Sequence, residues 1–244
     1  MIKIIIHITK FIIAAVTALL VASCDFNVKT IEGSGNLTTE KRIVQGDFKN
    51  VSVSNAIDLV IEQSDSTEIT VEADDNLQKE IVTKVENGTL IIECKFNSFQ
   101  NITMKKVTVK MPVIDKISAS SASSVQTKNT IEGENIALEA SSAASMQVNI
   151  EADNISCESG SASSINVQGK ALKVKTSVSS GGSIDATSLL ANEVDAEASS
   201  GGTVSVHPIV SLKAHASSGG NINYNNTPKT IEKNTSSGGS ISQG

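Results

Sequence analysis

The chain has 244 residues, a formal net charge of −6 and a single arginine, Arg42. Nucleic-acid binding needs a clustered basic surface, and bidentate binding of phosphate or acidic polysaccharide favours arginine, so this composition argues against both. Aromatic residues make up 2% of the chain, which leaves a core of aliphatic and alanine side chains and few rings for a sugar platform. A neutral ligand or a protein remains as partner.

The first 23 residues have the pattern of a lipoprotein signal peptide. Lys3 and Lys10 supply positive charge, residues 11–21 are apolar, and Val21-Ala22-Ser23-Cys24 reads as a lipobox. Cys24 would become the first mature residue, with lipid on its sulfur and its amine. An ordinary signal peptide and a membrane-spanning helix are the alternatives, but the apolar run is short for a span.

Residues 24–35 would form a tether between this lipid anchor and the folded domain. Several acyl chains hold a protein stably on a membrane, whereas one chain alone is marginal. We therefore expect a cell-envelope location, and the outer membrane rather than the inner one. The sorting signal read from Asp25 depends on the bacterial lineage.

The domain itself is expected to span residues 36–244, with front strands in 36–115 and turn repeats in 116–244. The front part has short strand-like runs such as 57–61 and 69–73, and Asn87-Gly88 is a strong hairpin signal. Asp65-Ser66-Thr67 matches an O-glycosylation acceptor of some bacteria, although an exposed polar loop explains it as well.

Seven copies of a six-residue motif follow, here called hexads. Each has two small polar residues, two very small residues, a small polar residue and an aliphatic residue. The copies begin 18 to 21 residues apart, a period typical of stacked repeat units. They occupy residues 120–125, 141–146, 160–165, 179–184, 199–204, 217–222 and 236–241.

Segments between the hexads alternate apolar and polar residues, as in Val194-Asp195-Ala196-Glu197-Ala198, which is the period of half-buried strands. Together these features predict an all-β fold, a right-handed single-stranded parallel β-helix with coils of 18 to 21 residues. The stacked, inward-facing aliphatics are expected to be Leu138, Val148, Ile155, Ile165, Val174, Ile184, Val194, Val204 and Ile222.

The hexads are predicted to be the stacked corners of this solenoid. Equivalent side chains of successive coils lie about 4.8 Å apart, so bulky residues would collide at a corner. The first three hexads have alanine or serine where the last four have Gly-Gly, which predicts that positive φ is not required in every coil. Residues with this structural role are Ser120, Ser141, Ser179, Gly181, Gly182, Ser199, Gly201, Gly202, Ser217, Gly219, Gly220, Ser236, Gly238 and Gly239.

A family resemblance agrees with this prediction. The lipobox, the segment 51–63, the Asn87-Gly88-Thr89-Leu90 hairpin and the repeated Ser-Ser-Gly-Gly-Ser-Ile turns resemble the autotransporter-adhesin head GIN domain family (DUF2807). The resemblance covers residues 36 to about 224. It implies a right-handed β-helix related in shape to pectin lyases, no established catalytic residues, and a role in cell-surface adhesion.

Many β-helices are polysaccharide lyases or hydrolases, which need clustered carboxylates and a base. The acidic residues and histidines present are equally well explained as solvent-facing side chains of alternating strands. A catalytic serine is needed only once, so serines repeated in seven copies fit a stacking role better than a nucleophile. We therefore predict a non-enzymatic protein without a metal site or cofactor. The candidates for catalysis are Asp185, Asp195, Glu197, His207 and His215.

Cys94 and Cys157 lie in predicted strands. An exported protein can form a disulfide, but two strand cysteines more often serve as small core residues. We favour the core interpretation.

The sequence thus predicts a lipid-anchored adhesion or scaffolding protein whose flat faces and serine-lined edge contact a surface protein or glycan. A glycan-binding or carbohydrate-active β-helix is the alternative, and an envelope-stress accessory role has no direct support. Open sheet edges at the solenoid ends also suggest a homo-oligomer formed through those ends.

Overall fold

The computed structural model describes Lys10 and residues 29–244, and the secondary structure of the latter consists of strands. The strands are β1 (Thr30–Glu32), β2 (Leu37–Arg42), β3 (Asn50–Val53), β4 (Asp58–Gln63), β5 (Glu68–Asp74), β6 (Ile81–Glu86), β7 (Thr89–Cys94), β8 (Ser98–Gln100), β9 (Lys105–Met111), β10 (Lys116–Ala119), β11 (Ser124–Thr127), β12 (Ile131–Ala140), β13 (Ser145–Ser159), β14 (Ser164–Val178), β15 (Ser183–Ala198), β16 (Thr203–Ala216), β17 (Asn221–Tyr224), β18 (Thr230–Thr235) and β19 (Ser240–Gln243).

Parallel pairing from coil to coil builds a solenoid whose strands belong to one continuous 17-stranded sheet, and the two faces of the solenoid are here called sheet 1 and sheet 2. The long strands β13 to β16 each run through both sheets, and their registers stack equivalent residues, such as Ile165 on Ile184 and Val174 on Val194. Sheet 1 follows each hexad, and sheet 2 precedes the next hexad. The predicted all-β parallel solenoid is therefore confirmed.

The core lies between the two sheets and consists of thin layers of aliphatic side chains. Period-two alternation directs every second side chain inward, and all the aliphatics predicted to stack inside are buried. In one coil, for example, Ile165 and Val167 from sheet 1 face Val174 and Val178 from sheet 2.

The hexad turns correct the prediction about positive φ. The second and third residues of every hexad have positive φ, including Ala122 (59°), Ala143 (61°) and Ala162 (60°) as well as the glycines at the third position. Within each turn the N–H of the fourth residue donates to the carbonyl of the first, at 2.8 to 3.2 Å. Positive φ at both central residues is what a type I′ turn requires, so the first three hexads adopt this turn with alanine.

A ladder of hydrogen bonds joins the turns of successive coils. The N–H of each third residue donates to the carbonyl of the second residue in the next hexad, from Ala122 to Ser142 at 2.9 Å through Gly219 to Ser237 at 3.2 Å. This ladder, and not the small size of the residues alone, fixes the conformation of the turn, because the donating N–H and the accepting carbonyl must both point along the solenoid axis.

An eighth turn extends the stack toward the N-terminus and was not found from the sequence. Asn55 and Ala56 have positive φ, and the Ala56 N–H donates to the Ser121 carbonyl at 2.8 Å. β3 and β4 on either side pair in parallel with β10 and β11. Residues 54–59 escaped detection because they precede the first hexad by 66 residues and carry Ile57 at a position that is otherwise small.

Lys105 closes the N-terminal end of the ladder. Its ammonium donates to the Asn55 carbonyl at 2.9 Å, an acceptor for which no earlier hexad supplies an N–H donor, and lies 3.0 Å from the centroid of the Phe99 ring. The side chain is 6% exposed. A buried lysine thus replaces the backbone N–H of a missing coil.

Antiparallel strands cover the same end of the solenoid. β5 pairs antiparallel with β9 and with β2, and β6 pairs antiparallel with β7. The predicted hairpin is confirmed, since Asn87 and Gly88 connect β6 and β7 with φ of 50° and 73°. At the opposite end, β18 pairs with β16 and β19 pairs with β17.

Cys94 and Cys157 are both buried and both free, in agreement with the core interpretation. Burial raises the pKa of the Cys157 thiol to about 12 and also raises the pKa of Cys94. These thiols are therefore poor nucleophiles.

Candidate functional site

Two of the predicted modification sites have different outcomes. Cys24 lies outside the described residues. Asp65, Ser66 and Thr67 form an exposed loop between β4 and β5, so the loop is accessible, and its glycosylation stays a prediction. Among the residues that the structure describes, no helix is long and apolar enough to span a bilayer.

The catalytic candidates do not form one cluster. Asp185 lies in sheet 1 and accepts hydrogen bonds from the backbone and hydroxyl of Thr187, at 3.1 and 2.6 Å. His207 is paired with Leu190 where β16 bends between the sheets, whereas Glu197 pairs with His215 in sheet 2. Asp195 is two residues from Glu197 on the same strand. Within residues 29–244 and Lys10, no group of three or more potential metal-binding side chains is found.

The edge opposite the hexads carries the most conspicuous exposed surface. Here, each long strand bends from sheet 1 into sheet 2. Four large aliphatic side chains are exposed at this bend in three adjoining coils: Leu172 (53%), Leu190 (41%), Ile209 (39%) and Val210 (37%). We call the stacked segments 132–135, 151–154, 170–173, 190–193 and 208–211 the bend edge; they match in register except for a shift between β15 and β16.

The local sequence explains why these side chains point outward. Two successive residues, such as Leu172 and Lys173, face solvent at the bend, whereas inside either sheet they would alternate. Ala171 and Ala191 turn inward beside them. The signal that could have revealed the site is the doubling of aliphatics in Leu189-Leu190 and in Ile209-Val210, which breaks the period of two.

Charged residues surround these aliphatic side chains, and some of them form ion pairs between coils. Lys170 lies 3.4 Å from Glu151 in the preceding coil, and Lys173 lies 3.4 Å from Glu193 in the following coil. All four side chains are largely exposed, so each pair contributes little to stability. The acidic residues Glu132, Glu134, Glu151 and Asp153 nevertheless dominate the first two segments of the bend edge.

A long groove runs beside the bend edge on sheet 2. Its volume is about 1290 Å³, and it crosses the coils from Val113 to Ile231. Three stacked columns line it: an aliphatic column that includes Ile155 and Val174, and polar columns that contain Asn154 and Lys175. On the other flank, a smaller recess of about 690 Å³ includes Leu172, Leu190 and Ile209. The two hollows make the bend edge a ridge.

Comparison with known protein families shows which family the chain belongs to. The family described as "Putative auto-transporter adhesin, head GIN domain" matches residues 47–228. The chain belongs to this family. The predicted resemblance is thus confirmed, and membership indicates a cell-surface or envelope protein. No curated protein matches the chain.

Solved structures share the fold over nearly their full length. A "putative adhesin" from Bacteroides fragilis is 21% identical with a TM-score of 0.80, covering 87% of this chain and 99% of that chain. A "putative adhesin" from Parabacteroides distasonis is 26% identical with a TM-score of 0.71, covering 88% and 100%. A "Putative lipid binding protein" from the same species is 24% identical with a TM-score of 0.70, again covering 88% and 100%.

Proposed function

We propose that this GIN domain protein is a non-enzymatic adhesion module of the cell envelope, held by lipid on Cys24, that contacts its ligand through the bend edge. The observation that carries the proposal is that four exposed aliphatics, Leu172, Leu190, Ile209 and Val210, lie together in three adjoining coils. Clustered exposed apolar side chains mark interaction surfaces in soluble proteins. Membership of an adhesin family supports the same function.

A solenoid suits this role because its contact surface is rigid. Backbone hydrogen bonds join every coil to its neighbours through both sheets and through the turn ladder. A surface that is already ordered loses little conformational entropy on binding. At the serine-lined turn edge, by contrast, the backbone N–H and carbonyl groups bond within the stack and no large apolar side chain of the described residues is exposed there, so we assign the contact to the bend edge.

Attachment of protein-coated beads tests the proposal. The full chain, purified from membranes of expressing bacteria and coupled through a C-terminal biotin, should attach to at least one surface among bacterial cells, mucin and matrix proteins. The double variant Leu172→Asp/Val210→Asp is expected to reduce that attachment at least tenfold, because it places carboxylates on the apolar ridge. Ile43→Asp, at a side chain that is 97% exposed elsewhere, is the matched control and should attach normally.

Undiminished attachment of the double variant would contradict the assignment to the bend edge. Cleavage of a polysaccharide that disappears in Asp195→Asn would contradict the non-enzymatic assignment. Circular dichroism of each variant separates loss of contact from loss of fold.

The lipid anchor makes a separate prediction. Cys24→Ala is expected to abolish palmitate incorporation and to leave the precursor uncleaved, because the cysteine sulfur is the site of acylation before processing. Metabolic labelling and the mass of the purified chain measure both effects, and Cys94→Ala should retain the label. Label that persists in Cys24→Ala would place the acyl chain elsewhere.

Glycan binding in the groove is the second candidate. The groove is long enough for an extended polymer and offers polar side chains such as Asn154 and Ser156 beside its aliphatic column. Ser156→Trp would fill the groove, so it should abolish binding to a glycan array if the groove holds the ligand. Binding that survives this change, but not Leu172→Asp/Val210→Asp, would favour the bend edge.

A further inference from the structure

The bend edge is complementary to itself when one copy is reversed. We propose that the adhesion partner is a second copy of this chain, bound antiparallel across a two-fold axis that passes the coil of Leu190 perpendicular to the solenoid. This inference rests on the proposed function and names the partner of the same surface. In a two-fold contact, each copy presents the same patch to the other.

The aliphatic side chains match under this operation. The axis passes Asn192 on the central coil, which the register places beside Leu172 of the preceding coil and beside Ile209 and Val210 of the following coil. Leu190 lies two residues before Asn192 on the same strand and is paired with Lys170 and His207. Successive coils are about 4.8 Å apart, so reversal places Leu172 of one copy on Ile209 and Val210 of the other. The exposed aliphatics of the ridge are thereby covered together.

The charges match as well. Glu151 and Asp153 lie two coils before Leu190, and Lys229 lies two coils after it and is exposed. Reversal brings Asp153 of each copy opposite Lys229 of the other, with Glu151 two residues away on the same strand, and the contact occurs twice. A parallel arrangement would instead oppose Glu151 and Asp153 to themselves, which is repulsive. Glu193 approaches its counterpart, but its own Lys173 lies 3.4 Å away.

The antiparallel arrangement also suits tethered copies. β1, near the start of the described chain, pairs with β8 at the capped end of the solenoid. Reversal puts the two capped ends, and the tethers that lead to them, at opposite ends of the pair. Copies on two facing membranes can therefore meet through this contact.

The contact is small, because the ridge covers only three coils, or about 10 Å along the axis. Such contacts are weak individually, and arrays of linked copies gain avidity without new interactions. Self-association should accordingly be far stronger between coated surfaces than between free molecules.

Beads in two colours, coated with the full chain through a C-terminal biotin, test the inference. Wild-type beads should form mixed clusters, and Leu190→Asp should reduce clustering at least tenfold, because it places a carboxylate of each copy in the apolar contact beside the axis. Ile43→Asp should cluster like the wild type. Circular dichroism confirms that each variant is folded.

A charge exchange tests the antiparallel geometry. Beads with Glu151→Lys/Asp153→Lys should not cluster with one another, and neither should beads with Lys229→Glu, because both contacts become repulsive. Mixing the two variants restores both contacts, so mixed clusters should recover to at least half of the wild-type level.

The remaining outcomes separate the two proposals. Wild-type beads that fail to cluster but attach to cells or matrix through the bend edge would overturn the inference and leave adhesion standing. Beads that neither cluster nor attach would overturn both. Clustering that is indifferent to Leu190→Asp and to the charge exchange would place self-association elsewhere, such as at the solenoid ends, and would also overturn the inference.

Discussion

Replacing Gly220 with alanine is expected to destabilise the protein by about 3 kcal/mol, through overpacking against rigid backbone. A Cβ at Gly220 would lie 2.3 Å from the Ala198 carbonyl oxygen and 2.7 Å from the Ser199 nitrogen. Both atoms belong to the preceding coil, and the hydrogen bonds of the stack hold them in place. Urea unfolding followed by circular dichroism measures the loss.

Gly219→Ala is the matched control, one residue away. Gly219 has a φ of +74°, and a Cβ there would meet no described atom within 4 Å. The substitution therefore costs only the strain of the left-handed conformation, about 1 kcal/mol. Ala122, Ala143 and Ala162 already accept that strain at the same position. Equal losses for the two variants would refute the close approach of coils at this corner.

Lys105 is expected to make the protein more stable as the pH rises from about 7.5 to 9. Burial lowers the pKa of Lys105 to about 8 in the folded chain, against 10.5 for an ordinary lysine. Between these values the unfolded chain binds more protons than the folded one, so the free energy of unfolding increases with pH. The full shift corresponds to about 3 kcal/mol, of which about 1 kcal/mol appears by pH 9.

Buried cysteine limits the pH range over which the effect of Lys105 can be measured. Because the pKa of Cys157 is raised to about 12 and the pKa of Cys94 is also raised, the unfolded chain loses these thiol protons first, which lowers the stability again above pH 9. Lys105→Met should remove the rise between pH 7.5 and 9, while the exposed Lys213→Met should keep it. Urea midpoints at a series of pH values give the comparison, and an unchanged rise in Lys105→Met would exclude this lysine as its source.

The solenoid could be predicted because the sequence features that specify it recur in every coil. Seven hexads at nearly constant spacing, with alternating segments between them, specify stacked parallel strands and the inward position of residues such as Leu138 and Ile222. The turn conformation was wrongly predicted, because alanine at positive φ is uncommon and the ladder that compensates its strain joins different coils. The turn at 54–59 and its contact with Lys105 join segments that are far apart in sequence.

The candidate site could not be predicted in the same way. The sequence draws attention to the repeated serines, whereas Leu172, Leu190, Ile209 and Val210 occur once each and share no motif. Their proximity follows from the stacking register, including the irregular pairing between Ala186 and Leu190. Sequence reasoning placed the contact at the flat faces and the serine-lined edge, while exposed apolar surface favours the edge opposite the hexads.

Hydrogen-exchange footprinting of clustered against dispersed protein tests most directly which edge makes the contact. The account predicts slower exchange on clustering in residues 170–173, 190–193 and 208–211, with unchanged exchange in the seven hexads. Protection confined to the hexads, with none along the bend edge, would contradict it.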